Sequence, residues 1–163
     1  MTLPKAARLL APLAILTLAA CGGGDSVPEG PAVVQAEDAW CRPTPNGVLV
    51  GGCYVTLVSS RDDVLVSVAS PASPTVEIHE MQMTDGMMRM SRLEDGLSLP
   101  AGETVQLSPG AEHLMLTALS APLTEGQTVP LTLTFGDAAD VTVEAQVRQP
   151  DESAAEHRDH QQG

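Results

Sequence analysis

Between residues 34 and 148 the chain is a succession of short β-type runs, rich in Val, Leu and Thr, separated at regular intervals by Gly, Pro, Asn and Asp. That regularity is the pattern of an all-β sandwich or barrel and leaves almost no room for helix. Period-two alternation predicts strands at 34–42, 48–58, 63–69, 75–83, 87–93, 103–108, 112–119, 128–136 and 140–148. Turn chemistry predicts hairpins closed by Thr84-Asp85-Gly86, by Ser108-Pro109-Gly110 and by Phe135-Gly136-Asp137-Ala138. There is no internal repeat, and a segment of this size supports one domain with its own core. The three aromatics (Trp40, Tyr54, Phe135) are too few to fill it, so valine and leucine must supply most of the burial.

The ends read differently. Lys5 and Arg8 precede an apolar stretch from Leu9 to Ala20, followed by Leu18-Ala19-Ala20-Cys21 at its close. The stretch is too short to span a bilayer, and small residues before a cysteine form a bacterial lipoprotein signal. Residues 1–20 are therefore expected to be removed and Cys21 lipidated. Residues 21–33, rich in Gly and Pro, form a tether, residues 34–148 the β-domain, and residues 149–163 a disordered polar tail. Losing residues 1–20 removes two of the eight basic residues and none of the 21 acidic ones, leaving six against 21, a net charge of −15. Such acidity argues against nucleic acid and against an electrostatic hold on anionic lipid, which leaves acyl chains as the only membrane anchor.

With Cys21 lipidated, Cys41 and Cys53 remain as an even pair in an oxidising compartment. They lie on consecutive strands joined by Pro43-Thr44-Pro45-Asn46-Gly47. The expectation is a structural disulfide; the alternative, a redox-active or copper-binding dithiol, lacks a thioredoxin-like context.

Six of the seven methionines fall between residues 81 and 115, together with His79 just before them and His113 among them. In a strand over 75–83, alternation sets Val76 and Ile78 on one face and Glu77, His79, Met81 and Met83 on the other. The Thr84-Asp85-Gly86 turn brings Met87, Met88 and Met90 back alongside. Further on, His113 and Met115 share a face opposite Leu114 and Leu116. Neutral imidazole with uncharged thioether is a soft donor set suited to copper(I). Calcium or magnesium would need an oxygen cluster, and zinc takes methionine poorly. Periodicity alone leaves open that the methionines are core filler. Their sharing a face with histidine and glutamate, where a barrel core would favour Val, Ile or Leu, favours the metal reading.

The spacing then becomes specific. His79 and Met90 have ten residues between them, and His113-Leu114-Met115 follows after a further twenty-two. This resembles the signature of the periplasmic PCu(A)C copper chaperones, one residue longer than the usual second interval. The extra residue is assigned to the Leu93-Glu94-Asp95-Gly96 turn, which a loop can absorb. The resemblance extends to Trp40 with Arg42-Pro43, to Tyr54-Val55-Thr56-Leu57, to Asp85-Gly86-Met87-Met88-Arg89-Met90, to Leu99-Pro100-Ala101-Gly102 and to Val129-Pro130-Leu131-Thr132-Leu133-Thr134-Phe135, and so covers the whole domain.

It implies a cupredoxin-like Greek-key β-barrel or sandwich and a copper(I) site of His79, Met90, His113 and Met115. It also implies a carrier that is not an enzyme and that helps load copper centres of cytochrome c oxidase, alongside Sco-type thioredoxin-fold proteins, at the periplasmic face of a bacterial membrane. Met81, Met83 and Met88 are candidate secondary ligands. His157 and His160 of the tail, set among carboxylates, would suit copper(II). Family members usually carry small residues where this chain has Cys41 and Cys53.

No nucleophile with a positioned base emerges for catalysis. An electron-transfer cupredoxin needs a cysteine ligand, and both cysteines lie far from the His-x-Met strand in sequence. The other readings are a copper resistance or storage lipoprotein and an envelope protein-binding module that uses the methionines as an apolar contact.

Overall fold

The structure, a computed structural model, describes residues 30–150. The expected signal at 1–20, Cys21, most of the expected tether, and His157 and His160 of the expected tail lie outside the described residues.

Within them the fold is all-β, a single domain with no helix. The strands are β1 (Val34–Cys41), β2 (Val50–Ser59), β3 (Asp63–Ala69), β4 (Thr75–Thr84), β5 (Met87–Arg92), β6 (Leu97–Leu99), β7 (Thr104–Gln106), β8 (His113–Thr117), β9 (Thr128–Phe135) and β10 (Val141–Val147). They run in the order β5-β4-β8-β2-β1-β10-β9-β3-β6, with β7 also on β2. Neighbours so far apart in sequence as β4 and β8, or β3 and β9, come from the crossovers of a Greek-key arrangement rather than a meander.

Nine of the ten strands coincide with predicted runs. The tenth, β6, is three residues long and too short for alternation to show. It follows Gly96, whose φ of +81° only glycine adopts without strain.

Two of the three predicted hairpins form. Asp85 and Gly86 both have positive φ, 53° and 76°, as a two-residue type I′ turn requires, and β4 pairs with β5 around them. β9 and β10 pair around residues 136–140. The third is corrected. Ser108-Pro109-Gly110 does make a turn, with the Ser108 amide donating to the Glu112 carbonyl at 3.0 Å, but β7 and β8 do not pair. Both lie on β2, β7 against Thr56–Val58 and β8 against Val50–Cys53. β2 is long enough to serve two partners end to end, an outcome that turn residues alone cannot reveal.

The core is aliphatic, as the composition required. Leu57, Leu65, Leu114, Leu116, Leu131 and Leu133 are wholly buried, and alternate residues of β9 (Val129, Leu131, Leu133, Phe135) point into it. Cys41 and Cys53 stand directly opposite each other on β1 and β2, are fully buried, and are joined by a disulfide. The neighbouring pair, Trp40 and Tyr54, takes the other face, its rings 4.5 Å apart and the Arg148 guanidinium 4.8 Å over the indole. All three aromatics are buried, Trp40 and Tyr54 on the opposite side of β1 and β2 from the disulfide.

Asp63 ties the far end together. Its carboxylate accepts from the amides of Val64 (2.7 Å), Asp137 and Ala138 (both 2.9 Å), fastening β3 to the β9–β10 turn. Burial alone would raise its pKa; the backbone donors outweigh burial and hold it below the ordinary aspartate value.

Candidate metal centre

Alternation along three adjacent strands builds one outer surface. On β8, Leu114 and Leu116 are fully buried, which turns His113 and Met115 to the opposite side. On β4, Ile78 is buried at 4% exposure and so turns Glu77, His79 and Met81 outward. The register joins the two sets: His79 faces His113, and Glu77 faces Met115. On β5, Met90 faces Met81 and Arg92 faces His79. Directly opposed residues share a side of the sheet. The four residues expected to ligate therefore occupy a single face, with His79 at the hub.

Distances from that hub differ. His113 is its direct cross-strand partner, the two rings 5.7 Å apart at 62°. With metal–imidazole bonds of about 2 Å, two rings sharing an ion have centres up to about 6 Å apart, so this spacing admits one ion between them. Met115 and Met90 lie on the two diagonals of His79, a spacing of about 7–8 Å between backbones that long side chains bridge. They stand on opposite sides of it, and both must reach inward to meet one ion. Met90 is the outermost of the four, half exposed, whereas His113 is buried at 8%.

The secondary candidates separate in the same way. Met81, two residues from His79 and half-buried, is as near to the hub as Met90. Met83 and Met88 face each other at the tip of the hairpin, a further two residues out and well exposed. Met87 pairs with Thr84 and belongs to the other face.

The nitrogen partners are specific. His79 Nε2 lies 3.0 Å from Glu77 Oε2, and Glu77 Oε1 accepts from the Arg92 guanidinium at 3.1 Å. His79 Nδ1 is buried with no hydrogen-bond partner. His113 Nδ1 lies 3.0 Å from the Ala111 carbonyl oxygen. Gly52 stands opposite Met115, and a Cβ there would come within 3.1 Å of the Tyr54 hydroxyl, so glycine keeps this corner open. Burial pushes the Tyr54 phenol above its usual pKa against the pull of Arg42.

Among the described residues no three His, Cys, Asp or Glu side chains are placed to hold a metal ion. What the surface offers a metal is two imidazoles with thioethers, a donor set for a soft, low-charge ion. An orphaned, buried imidazole nitrogen at its centre fits such an ion, since an unsatisfied group of this kind otherwise costs about 1–3 kcal/mol. The disulfide lies behind this surface: Cys53 pairs with Leu114 on the core side.

Alternation alone predicts Glu77 on this face. Arg92 could have been placed too, because a two-residue turn at Asp85-Gly86 pairs 84 with 87 and therefore 79 with 92. The hydrogen bonds of both histidines needed the folded chain.

The family model described as "Putative lipoprotein LpqE-like" matches residues 34–147. The chain is 32% identical over 115 residues to the "Putative lipoprotein Lxx21020" of Leifsonia xyli subsp. xyli, spanning 71% of this chain and 69% of that protein. Among solved structures it is similar to the copper-bound PCuAC domain from PmoF2, at 28% identity and a TM-score of 0.60, covering 72% of this chain and 93% of that one. It is also similar to the copper(I) form of DR1885 from Deinococcus radiodurans, at 29% identity and a TM-score of 0.56, covering 76% of this chain and 81% of that one.

Proposed function

Because the chain belongs to the LpqE-like lipoprotein family and has the fold of a PCuAC-type copper-chaperone domain, we propose that it binds one copper(I) ion and hands it to another protein. His79, Met90, His113 and Met115 are the proposed ligands. The observation that carries the reading is their convergence: the β4–β5 hairpin and the sequence-distant β8 present two imidazoles and two thioethers on one face, around a buried imidazole nitrogen that lacks a partner.

Thioethers are neutral and titrate no proton, so each can give way to an incoming thiolate or imidazole without stranding a charge. Half-exposed Met90 is the ligand a recipient reaches first, and buried His113 the last. That gradient suits a carrier that does no chemistry of its own on its cargo. We place the domain at the periplasmic face of a bacterial membrane, held by lipid on Cys21. Its recipient would be a copper centre of cytochrome c oxidase or a Sco-type protein that serves it, and His157 and His160 would form a separate copper(II) site.

Copper(I) titration of the full chain in detergent against a chromophoric competitor tests the core of this reading, with His113→Ala, Met115→Ala and a chain truncated after Arg148 run beside it. One tight equivalent that survives truncation and is lost in both substitutions is expected. Uptake that is absent, or that disappears only with the tail, would overturn it. Oxidase activity of a deletion strain under copper limitation separates delivery from storage, which would show instead as sensitivity to copper excess.

A further inference from the structure

A neutral imidazole has one N–H and one lone pair, and only the nitrogen bearing the lone pair can take a metal. Which nitrogen that is depends on the hydrogen bond made by the other, and here the two histidines are bonded differently. At His113 the partner of Nδ1 is a backbone carbonyl, an acceptor only, so Nδ1 carries the proton and Nε2 the lone pair. At His79 the partner of Nε2 is the Glu77 carboxylate, also an acceptor, so Nε2 carries the proton and the lone pair falls on Nδ1, the nitrogen that is buried without a partner.

Resting on the copper reading, we propose that Glu77 is a positioning residue that sets the tautomer of His79, so that one copper(I) ion is held by Nδ1 of His79 and Nε2 of His113. Arg92 completes the device. It stands opposite His79 on β5, and its guanidinium holds the second Glu77 oxygen at 3.1 Å, fixing the carboxylate plane. Binding through His79 Nε2 instead would require breaking the bond to Glu77 and leaving Nδ1 orphaned in the sheet. A carboxylate bonded to the far nitrogen also makes the imidazole a better donor, and losing such a partner lowers metal affinity by about 10–100-fold.

Long-range proton–nitrogen NMR of the full chain in detergent, labelled with nitrogen-15 at histidine, reads this directly. Metal-free, His79 should show a protonated Nε2 and His113 a protonated Nδ1. On adding copper(I) under reducing conditions, the resonances that move should be His79 Nδ1 and His113 Nε2. Glu77→Ala should mix the tautomers of His79 alone and weaken copper(I) binding by about 10–100-fold. Glu77→Gln, whose side-chain oxygen still accepts from Nε2–H, should restore the single tautomer and most of the affinity, which a merely structural role would not do. Movement of His79 Nε2 on copper binding, or a Glu77→Ala variant with the parent tautomer and affinity, overturns the proposal while copper binding stands. If the unmodified chain takes up no copper(I), the proposal falls together with the function it rests on.

Discussion

At the scale of single residues, depth in the sheet ranks the proposed ligands. His113 is buried at 8% exposure and its ring is oriented by the Ala111 carbonyl, whereas Met90 is 50% exposed on an edge strand and its near neighbour Met81 carries the same donor. His113→Ala should therefore weaken copper(I) binding by far more than Met90→Ala, by at least about tenfold, or 1.4 kcal/mol, in the same competitor titration. Equal losses would show that Met90 is held as rigidly as His113. Asp63 gives a prediction at the other end of the domain. Because its pKa is depressed on folding, its contribution is present in full above the ordinary aspartate range, about pH 4, and fades as pH falls through the lower folded value. Asp63→Asn should cost about 1–3 kcal/mol at pH 7 and lose less on going to pH 3 than the parent does. Urea midpoints at the two pH values check both statements.

At the scale of elements, the β4–β5 hairpin carries half of the site and depends on its turn, while β1 and β2 are clamped by the disulfide. Cys41 and Cys53 are 12 residues apart, and opening so short a loop by Cys41→Ala with Cys53→Ala should cost about 2–4 kcal/mol. Since the sulfurs lie on the core side of β2 and the proposed ligands on the outer side, copper(I) affinity should hold once the variant is folded. A parallel loss of copper binding would instead support the dithiol reading. The Leu93–Gly96 turn, assigned the extra residue of the ligand spacing, is held tightly at one point. A Cβ on Gly96 would come within 2.5 Å of the Leu65 carbonyl oxygen, and φ there is +81°. Gly96→Ala should therefore destabilise by about 1–3 kcal/mol, read from the thermal midpoint, with β6 and its pairing to β3 the first to loosen.

For the whole molecule, the proposed ligands and the core are two sides of the same strands, so the proposed copper binding would be linked to folding. Copper(I) at a thousandfold excess over its dissociation constant should add about 4 kcal/mol to stability, visible as a raised unfolding midpoint that His113→Ala abolishes. The all-β class, nine strands, the aliphatic core and the common face of His79 with Met81 and of His113 with Met115 were legible in the residues, because alternation and turn chemistry are local and each needs only a few neighbours. Non-local pairing was not legible. Nothing in Ser108-Pro109-Gly110 tells that β7 and β8 share β2 instead of each other, and nothing in Trp40 or Tyr54 tells that their rings stack against each other across β1 and β2. The same holds within the site. The chain's own pattern determined which residue types face together and, through the Asp85-Gly86 turn, that Arg92 stands by His79; only the tertiary register decided that His79 stands against His113, because that cross-strand neighbour is set by where distant segments pair and not by what adjoins them in sequence.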